Sequence, residues 1–283
     1  MQTFHVYQAI WGMENLPHVD VESDIDGALD LILAAGFDGV GTGLSRQDRR
    51  EAVARGARER SIPWEATAFL KTADELAAAI DMAAALGAHH LNVQITQRLD
   101  RVSDAVTLLS AMERVAAQAP FAVHYETHRG RLTNDLMFTL RVLDELPALR
   151  LTGDLSHYPL VHEMPLPIAP ADEARMARIL EHCWAFHGRV CGSHQVQVSI
   201  ELPQHQEWVA QFRAWWAQGF ASWRARAAED AVLTFMCELG PPNYAITGPD
   251  GRELVDRWHE ACVMKDMVRG IWAQARAASA EAA

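Results

Sequence analysis

Four side chains able to hold a divalent cation recur at the ends of apolar runs: Glu126 in FAVHYETHRG, Asp154 in LRLTGDLSHY, His187 in CWAFHGRVCG and Glu238 in AVLTFMCELG. Carboxylate and imidazole are hard-to-borderline donors. A mixed set of this kind accepts Mn, Mg, Co or Zn, so one divalent metal ion is the expected cofactor. Side chains alternate across a strand, which puts His124, Glu126 and His128 on one face of the first run and His187, Arg189 and Cys191 on one face of the third. Burying Glu, His and Arg in an otherwise apolar strand is costly unless these groups bind a metal, pair with each other or meet a substrate. A single glutamate at a strand end is an ordinary rim residue; four donors at four strand ends are the makings of a site. His124, His128, His157, His187 and His194 all fall at or just beyond strand ends, where neutral imidazole can ligate or orient a ligand. His187 and His194 compete for the strand-seven position, and parity within the apolar run favours His187.

The elements that must position these groups are apolar runs near 4–11, 36–42, 63–69, 89–95, 121–127, 149–154, 184–191 and 232–238, separated by amphipathic Ala-rich stretches. Eight strand-then-helix units make an α/β fold, the closed (β/α)8 TIM barrel, which keeps its chemistry at the C-terminal ends of its strands. No Pro/Gly/Ser-rich linker divides the chain, so residues 1–283 read as a single TIM-barrel domain with a C-terminal helical extension. AGFDGVG and ALGAHHLNV place glycine where a helix hands over to a strand, and Thr72 with Glu75 marks a helix start. Two proline-rich connections, 157–173 after strand six and 240–251 after strand eight, are too long for tight turns and are lid candidates. In 204–228, Trp208, Phe212, Trp215, Trp216, Phe220 and Trp223 form one helical stripe, which either packs on the barrel or serves a homo-oligomer interface.

Composition narrows the function classes. A formal charge of -12 over the whole chain repels phosphate backbones and argues against nucleic acid as a partner. The start lacks a signal-peptide pattern and no apolar stretch is long enough to span a bilayer, so no membrane partner and a cytoplasmic location are expected. Cys183, Cys191, Cys237 and Cys262 lack metal-site spacing and read as reduced buried thiols.

The segments HYETHRGRLTND, GDLSHY, HGRV and ELGPPNY, in the last two thirds of the chain, resemble the xylose isomerase-like TIM barrel superfamily, the sugar phosphate isomerase/epimerase group. The resemblance implies that Glu126, Asp154, His187 and Glu238 hold the metal. It also implies a substrate-facing His157, from the Asp-x-x-His pattern, and a basic Arg189 two beyond the strand-seven histidine. One departure is Gly41, where many relatives carry a glutamate. The implied substrate is a small sugar or polyol-derived hydroxy-carbonyl compound, and the implied reaction is isomerisation or epimerisation by proton transfer through an enediolate. Glu126 and Glu238 would combine ligation with acid/base work while His157 and Arg189 orient oxygens. Expulsion of a β-hydroxyl would instead give a dehydratase of a keto-polyol, inosose dehydratase-like. Trp11 is placed to stack on a sugar face or to fill core. Rival readings are an endonuclease-like zinc phosphodiester hydrolase, opposed by the acidic charge, a Schiff-base aldolase using Lys71, and a barrel that binds without turnover.

Overall fold

Eight strands alternate with helices along residues 1–281, the part of the chain that the computed structural model describes. The strands are β1 Thr3–Ala9, β2 Gly39–Gly43, β3 Trp64–Leu70, β4 His90–Ile95, β5 Ala122–Glu126, β6 Leu151–Asp154, β7 Cys183–Gly188 and β8 Val232–Cys237. Each pairs in parallel with the next, and β8 pairs with β1, closing the barrel. The helices are α1 Ile25–Ala34, α2 Gln47–Glu59, α3 Ala73–Leu86, α4 Val102–Ala116, α5 Leu136–Glu145, a short α6 His157–Val161, α7 Pro170–His182, α8 Gln206–Arg226 and α9 Arg257–Glu281. This is the (β/α)8 architecture that the apolar periodicity requires. None of the described helices is long and apolar enough to cross a membrane.

Local signals act as their chemistry dictates. The Thr72 hydroxyl accepts the Glu75 N–H at 3.2 Å to cap α3, and Gly87 ends that helix at φ 77°, a left-handed conformation that costs glycine little. Two strand C-termini move by more than one residue. The first strand ends at Ala9, because Trp11–Met13 turns into a 3-10 helix, and the seventh ends at Gly188, leaving Arg189 and Cys191 in the following loop. That loop, 189–205, is a third long connection beside the two recognised from proline content.

The apolar core lies between barrel and helices. Phe4, Phe186 and Phe235 point outward from β1, β7 and β8 to meet the α8 stripe, with ring centroids 5.1 Å apart for Phe4–Phe220, 5.4 Å for Phe186–Phe220 and 5.2 Å for Trp216–Phe235. Trp215, Trp216 and Trp223 are fully buried there, so the stripe packs on the barrel. Gly219 permits the approach, since a Cβ at that position would stand 2.6 Å from the Phe186 ring. The four cysteines carry free thiols, three of them buried.

Candidate active site

The strand ends bring three donors together. Glu126 closes β5, His187 lies one residue before the end of β7 and Glu238 follows β8 directly. All three are buried, and one ligand atom from each lies within 4.8 Å of the others, a grouping that could hold a metal ion. His187 Nδ1 stands 3.3 Å from Glu238 Oε2 and 3.6 Å from Glu126 Oε2. Neither His187 Nδ1 nor Glu126 Oε1 has a hydrogen-bond partner among the described residues, although both are buried. Orphaned buried donors of opposite kinds on one centre are costly in isolation, and a divalent cation would satisfy them together.

Fixed neighbours set the orientation of each donor. Asn92 and Gln94, inward on β4, both donate amide N–H groups to Glu126 Oε2, the second at 2.9 Å. The Trp11 indole N–H donates to Glu238 Oε1 at 3.1 Å. His187 Nε2 donates to Glu65 Oε1 at 2.7 Å, and the other Glu65 oxygen accepts from His90 Nε2 at 2.6 Å. A carboxylate behind the far ring nitrogen directs Nδ1 toward Glu126 and Glu238, where it carries a proton in the metal-free chain and would turn a lone pair to a cation, the arrangement of a metal-ligating histidine.

Asp154 stands apart from this trio. Its Oδ1 accepts the Ser156 N–H at 3.0 Å and the Ser156 hydroxyl at 2.6 Å, while its Oδ2 accepts from Arg189 at 2.9 Å. The same Arg189 nitrogen reaches Glu238 Oε2 at 3.1 Å, so Asp154 is joined to the trio through a guanidinium. His157 Nε2 lies 3.2 Å from Asp154 Oδ2. Its Nδ1 faces Arg129 at 3.0 Å, and because arginine can only donate, Nδ1 carries the lone pair and Nε2 the proton. Glu126, His128 and His157 form a second compact group that could hold an ion, but there the His157 Nδ1 already accepts from Arg129 and its Nε2 faces Asp154.

The electrostatics follow from burial and proximity. Burial pushes the Glu126 carboxyl up to about 8; His187 opposes this shift, while Glu238 and Asp154 add to it. Burial works against a charged His187, yet Glu65, Glu238 and Glu126 around it hold its pKa well above the ordinary value. Asp154 and Glu65 pay the same burial and are nevertheless held low, the first by His157 and Arg189, the second by His187 and His90. The site thus keeps protonated and ionised carboxyls side by side.

Above the trio opens a cavity of about 400 Å³ lined by residues that include Trp11, Thr67, Gln94, His128, Arg189, Glu238 and Tyr244. Tyr244 comes from the connection after β8; its hydroxyl accepts from Arg129 at 3.3 Å and its ring lies 4.9 Å from the Arg189 guanidinium. Gln197 bonds both backbone polar groups of Gly240, tying the loops after β7 and β8 together. His194 is exposed in the loop after β7, outside both ligand groups, whereas His187 faces the carboxylates. Lys71 is exposed at the start of α3, and no lysine lines the cavity among the described residues. Gly41 does line it: a Cβ there would stand 2.1 Å from Met236 Sδ, so a larger residue would have to displace that side chain.

Sequence reading missed Glu65, His90, Asn92 and Gln94. Their signal was present, because WEATAFL and HLNVQI carry polar residues at alternate positions, the same parity that exposed His124 and Glu126. Glu65 is the register partner of Gly41 and stands beside it on the adjacent strand.

No family model matches this chain, and no curated protein matches it. Among solved structures it is similar to a sugar phosphate isomerase/epimerase from Parabacteroides distasonis ATCC 8503, with a TM-score of 0.58 and 10% identity, covering 97% of this chain and 94% of that one. It is also similar to a dihydrodipicolinate synthase, with a TM-score of 0.50 and 11% identity, covering 96% of this chain and 78% of that one. At such identities the likeness establishes the shared barrel fold and leaves the chemistry to the side chains.

Proposed function

We propose that this chain is a divalent-metal-dependent isomerase or epimerase acting on a sugar or polyol-derived hydroxy-carbonyl compound. The observation that carries the reading is the convergence of Glu126, His187 and Glu238 within 4.8 Å at the C-terminal end of the barrel. These three would hold the ion, and Asp154 would act one step back by fixing Arg189 and His157. When bound, a divalent cation polarises a carbonyl and its neighbouring hydroxyl and so lowers the cost of the enediolate.

The remaining work belongs to the protein. Glu126 and Glu238 approach from different strands, and each has one oxygen pinned by neutral donors, Asn92 and Gln94 for the first and Trp11 for the second. Their other oxygens can take the α-proton from one face and return it at the same or the neighbouring carbon. In the metal-free chain burial pushes the Glu126 carboxyl up to about 8; a bound cation would favour its ionised form and leave the carboxylate to act as the base. Arg189, which lines the cavity, has Nε and Nη1 without a partner among the described residues and can present them to an oxygen that gains charge, while His157, protonated on Nε2 against Asp154, helps to hold that carboxylate in place. Trp11 and Tyr244 form apolar walls against which a sugar face can stack, their rings 5.5 Å apart.

The test is exchange of substrate α-protons with deuterated solvent, followed by NMR over a panel of aldoses, ketoses and inososes with Mn²⁺, Mg²⁺, Co²⁺ or Zn²⁺ added. Exchange that disappears on chelation and returns with metal supports the reading. A protein that binds the ion yet exchanges no α-proton in any compound rejects it, and elimination of water during exchange would move the assignment to a keto-polyol dehydratase.

A further inference from the structure

The reacting carbonyl accounts for one end of the cavity, and the charge on its wall bears on the other. Four arginines line it: Arg46, Arg49, Arg131 and Arg189. Three are matched by acids, Arg46 with Glu22 and Asp48, Arg49 with Glu14 and Glu22, and Arg189 with Asp154 and Glu238. Arg131, in the loop after β5, has no ion-pair partner among the described residues. Its Nε donates to Gln94 Oε1 at 2.9 Å, and its guanidinium lies 5.5 Å from the centroid of Phe69, which is 47% exposed. A hydrogen bond on one edge and a ring against the face hold the fork in place. Among the described residues the two terminal nitrogens have no partner, and they form an edge that matches two oxygens of a carboxylate. Gln94 in turn donates to Glu126 Oε2 at 2.9 Å, so this cation is fixed two hydrogen bonds from the trio of Glu126, His187 and Glu238.

We propose that Arg131 anchors a carboxylate of the substrate, which makes the substrate a hydroxy-carbonyl acid. The inference rests on the reaction proposed above for the reacting end, while the anchor itself stands on the unmatched guanidinium. Charge favours a carboxylate over a phosphate ester: one uncompensated cation balances a monoanion, whereas a phosphomonoester brings about -1.5 to -2 charges and three strong acceptor oxygens. Arg129, the next arginine along the loop, is occupied by His157 and Tyr244 and adds no second fork.

Binding by calorimetry to Mn²⁺-supplemented protein tests this with two matched pairs, glucuronate against glucose and hydroxypyruvate against dihydroxyacetone. The expected result is an acid preference of about ten- to a hundredfold. Arg131→Gln should bring the ratio close to one, Arg131→Lys should restore part of it, and Arg46→Gln, a paired arginine on the same wall, should keep it. Equal affinity for acid and neutral members, or a preference that Arg131→Gln leaves in place while its unfolding midpoint shows a folded protein, overturns the anchor. Solvent exchange of α-protons in the same samples reports on the reaction separately. Exchange without acid preference overturns the anchor alone; acid preference lost in Arg131→Gln, with no exchange in any compound, supports the anchor and counts against the reaction.

Discussion

The inside of the barrel and the layer around it are built on opposite principles. Between strands and helices lies a continuous apolar core whose tryptophans and phenylalanines meet edge to face, as Trp216 does with Phe212 and Phe235. Inside the strands the buried apolar cluster shrinks to Tyr7, Ala9 and Met236, and the space is filled by Glu65, His90, Asn92, Gln94, His124, Glu126, Asp154 and His187. Desolvating so many polar groups returns little stability, even when most find partners. The outer layer therefore supplies the folding energy, and the interior spends part of it to hold a charged centre in fixed geometry. The two regions should fail differently when altered.

The largest effect should come from inside. Glu126→Gln and Glu238→Gln each remove a proton acceptor and a ligand charge while preserving shape, and should lower α-proton exchange by about a thousandfold. The unfolding midpoint of metal-free Glu126→Gln should stay where it is or rise, because burial and neighbouring carboxylates disfavour its charge, whereas Glu238→Gln gives up an ion pair with Arg189 and should lower the midpoint modestly. A steep loss of stability in either one would mean that the interior carries the fold and would erase the contrast. Next comes Trp216→Ala in the outer layer, which should cost about 3–5 kcal/mol of stability. Activity per folded molecule, measured well below the melting transition, should stay near the wild-type value; loss of chemistry at full folding would show that the two regions are coupled.

Much of this contrast was legible before any coordinates. The outer layer follows from apolar periodicity, and the strand positions expected from it are correct to within a few residues. Four donors at strand ends pointed to the site because they interrupt apolar runs. Three things were hidden. Glu65 shows its alternating polar pattern in the sequence, but its role depends on a contact across the barrel interior with His187, 122 residues away, which no strand pairing encodes. Asp154 shares the burial of Glu126 but not its place in the trio, because Arg189 inserts its guanidinium between Asp154 and Glu238, a matter of side-chain reach that strand parity does not encode. The pairing state of Arg131 against Arg46 and Arg49 depends on which acids the loops bring near, and spacing along the chain says nothing about that.

Glu65 offers a finer probe of the boundary between regions. It does not line the cavity above the trio and, on our reading, acts through His187, so Glu65→Gln should weaken metal binding by about ten- to a hundredfold. Exchange activity should recover at saturating metal. Activity that stays low at full metal occupancy would give Glu65 a direct part in proton transfer instead of a positioning one.

The smallest effect, and the one most specific to the interior, is the dependence of stability on pH. In the folded metal-free chain Glu126 keeps its proton to about pH 8, while its ordinary value is 4.5, so folding takes up a proton and this contribution is lost as pH climbs from 4.5 through 8. His187 is also held above its ordinary 6.5, so its contribution, present below 6.5, is lost as pH rises through its folded value. Asp154 and Glu65 run the other way: their depressed values favour the fold above their ordinary 3.8 and 4.5, and that benefit is lost as pH falls below them. Metal-free protein should therefore be most stable near pH 5 and lose stability toward pH 8. An ion bound by Glu126 and His187 competes with the same protons, so it binds more tightly as pH rises. At a fixed Mn²⁺ concentration the rise in melting temperature should be larger at pH 8 than at pH 6, and should reach the equivalent of about 2.7 kcal/mol when the ion stands at a hundred times its dissociation constant. The difference between the two pH values should shrink in Glu126→Gln, whose amide neither ionises nor competes, and the part that remains belongs to His187. An equal shift at both pH values in the unaltered protein would show that these carboxyls are already ionised without metal, and that burial does not set their protonation.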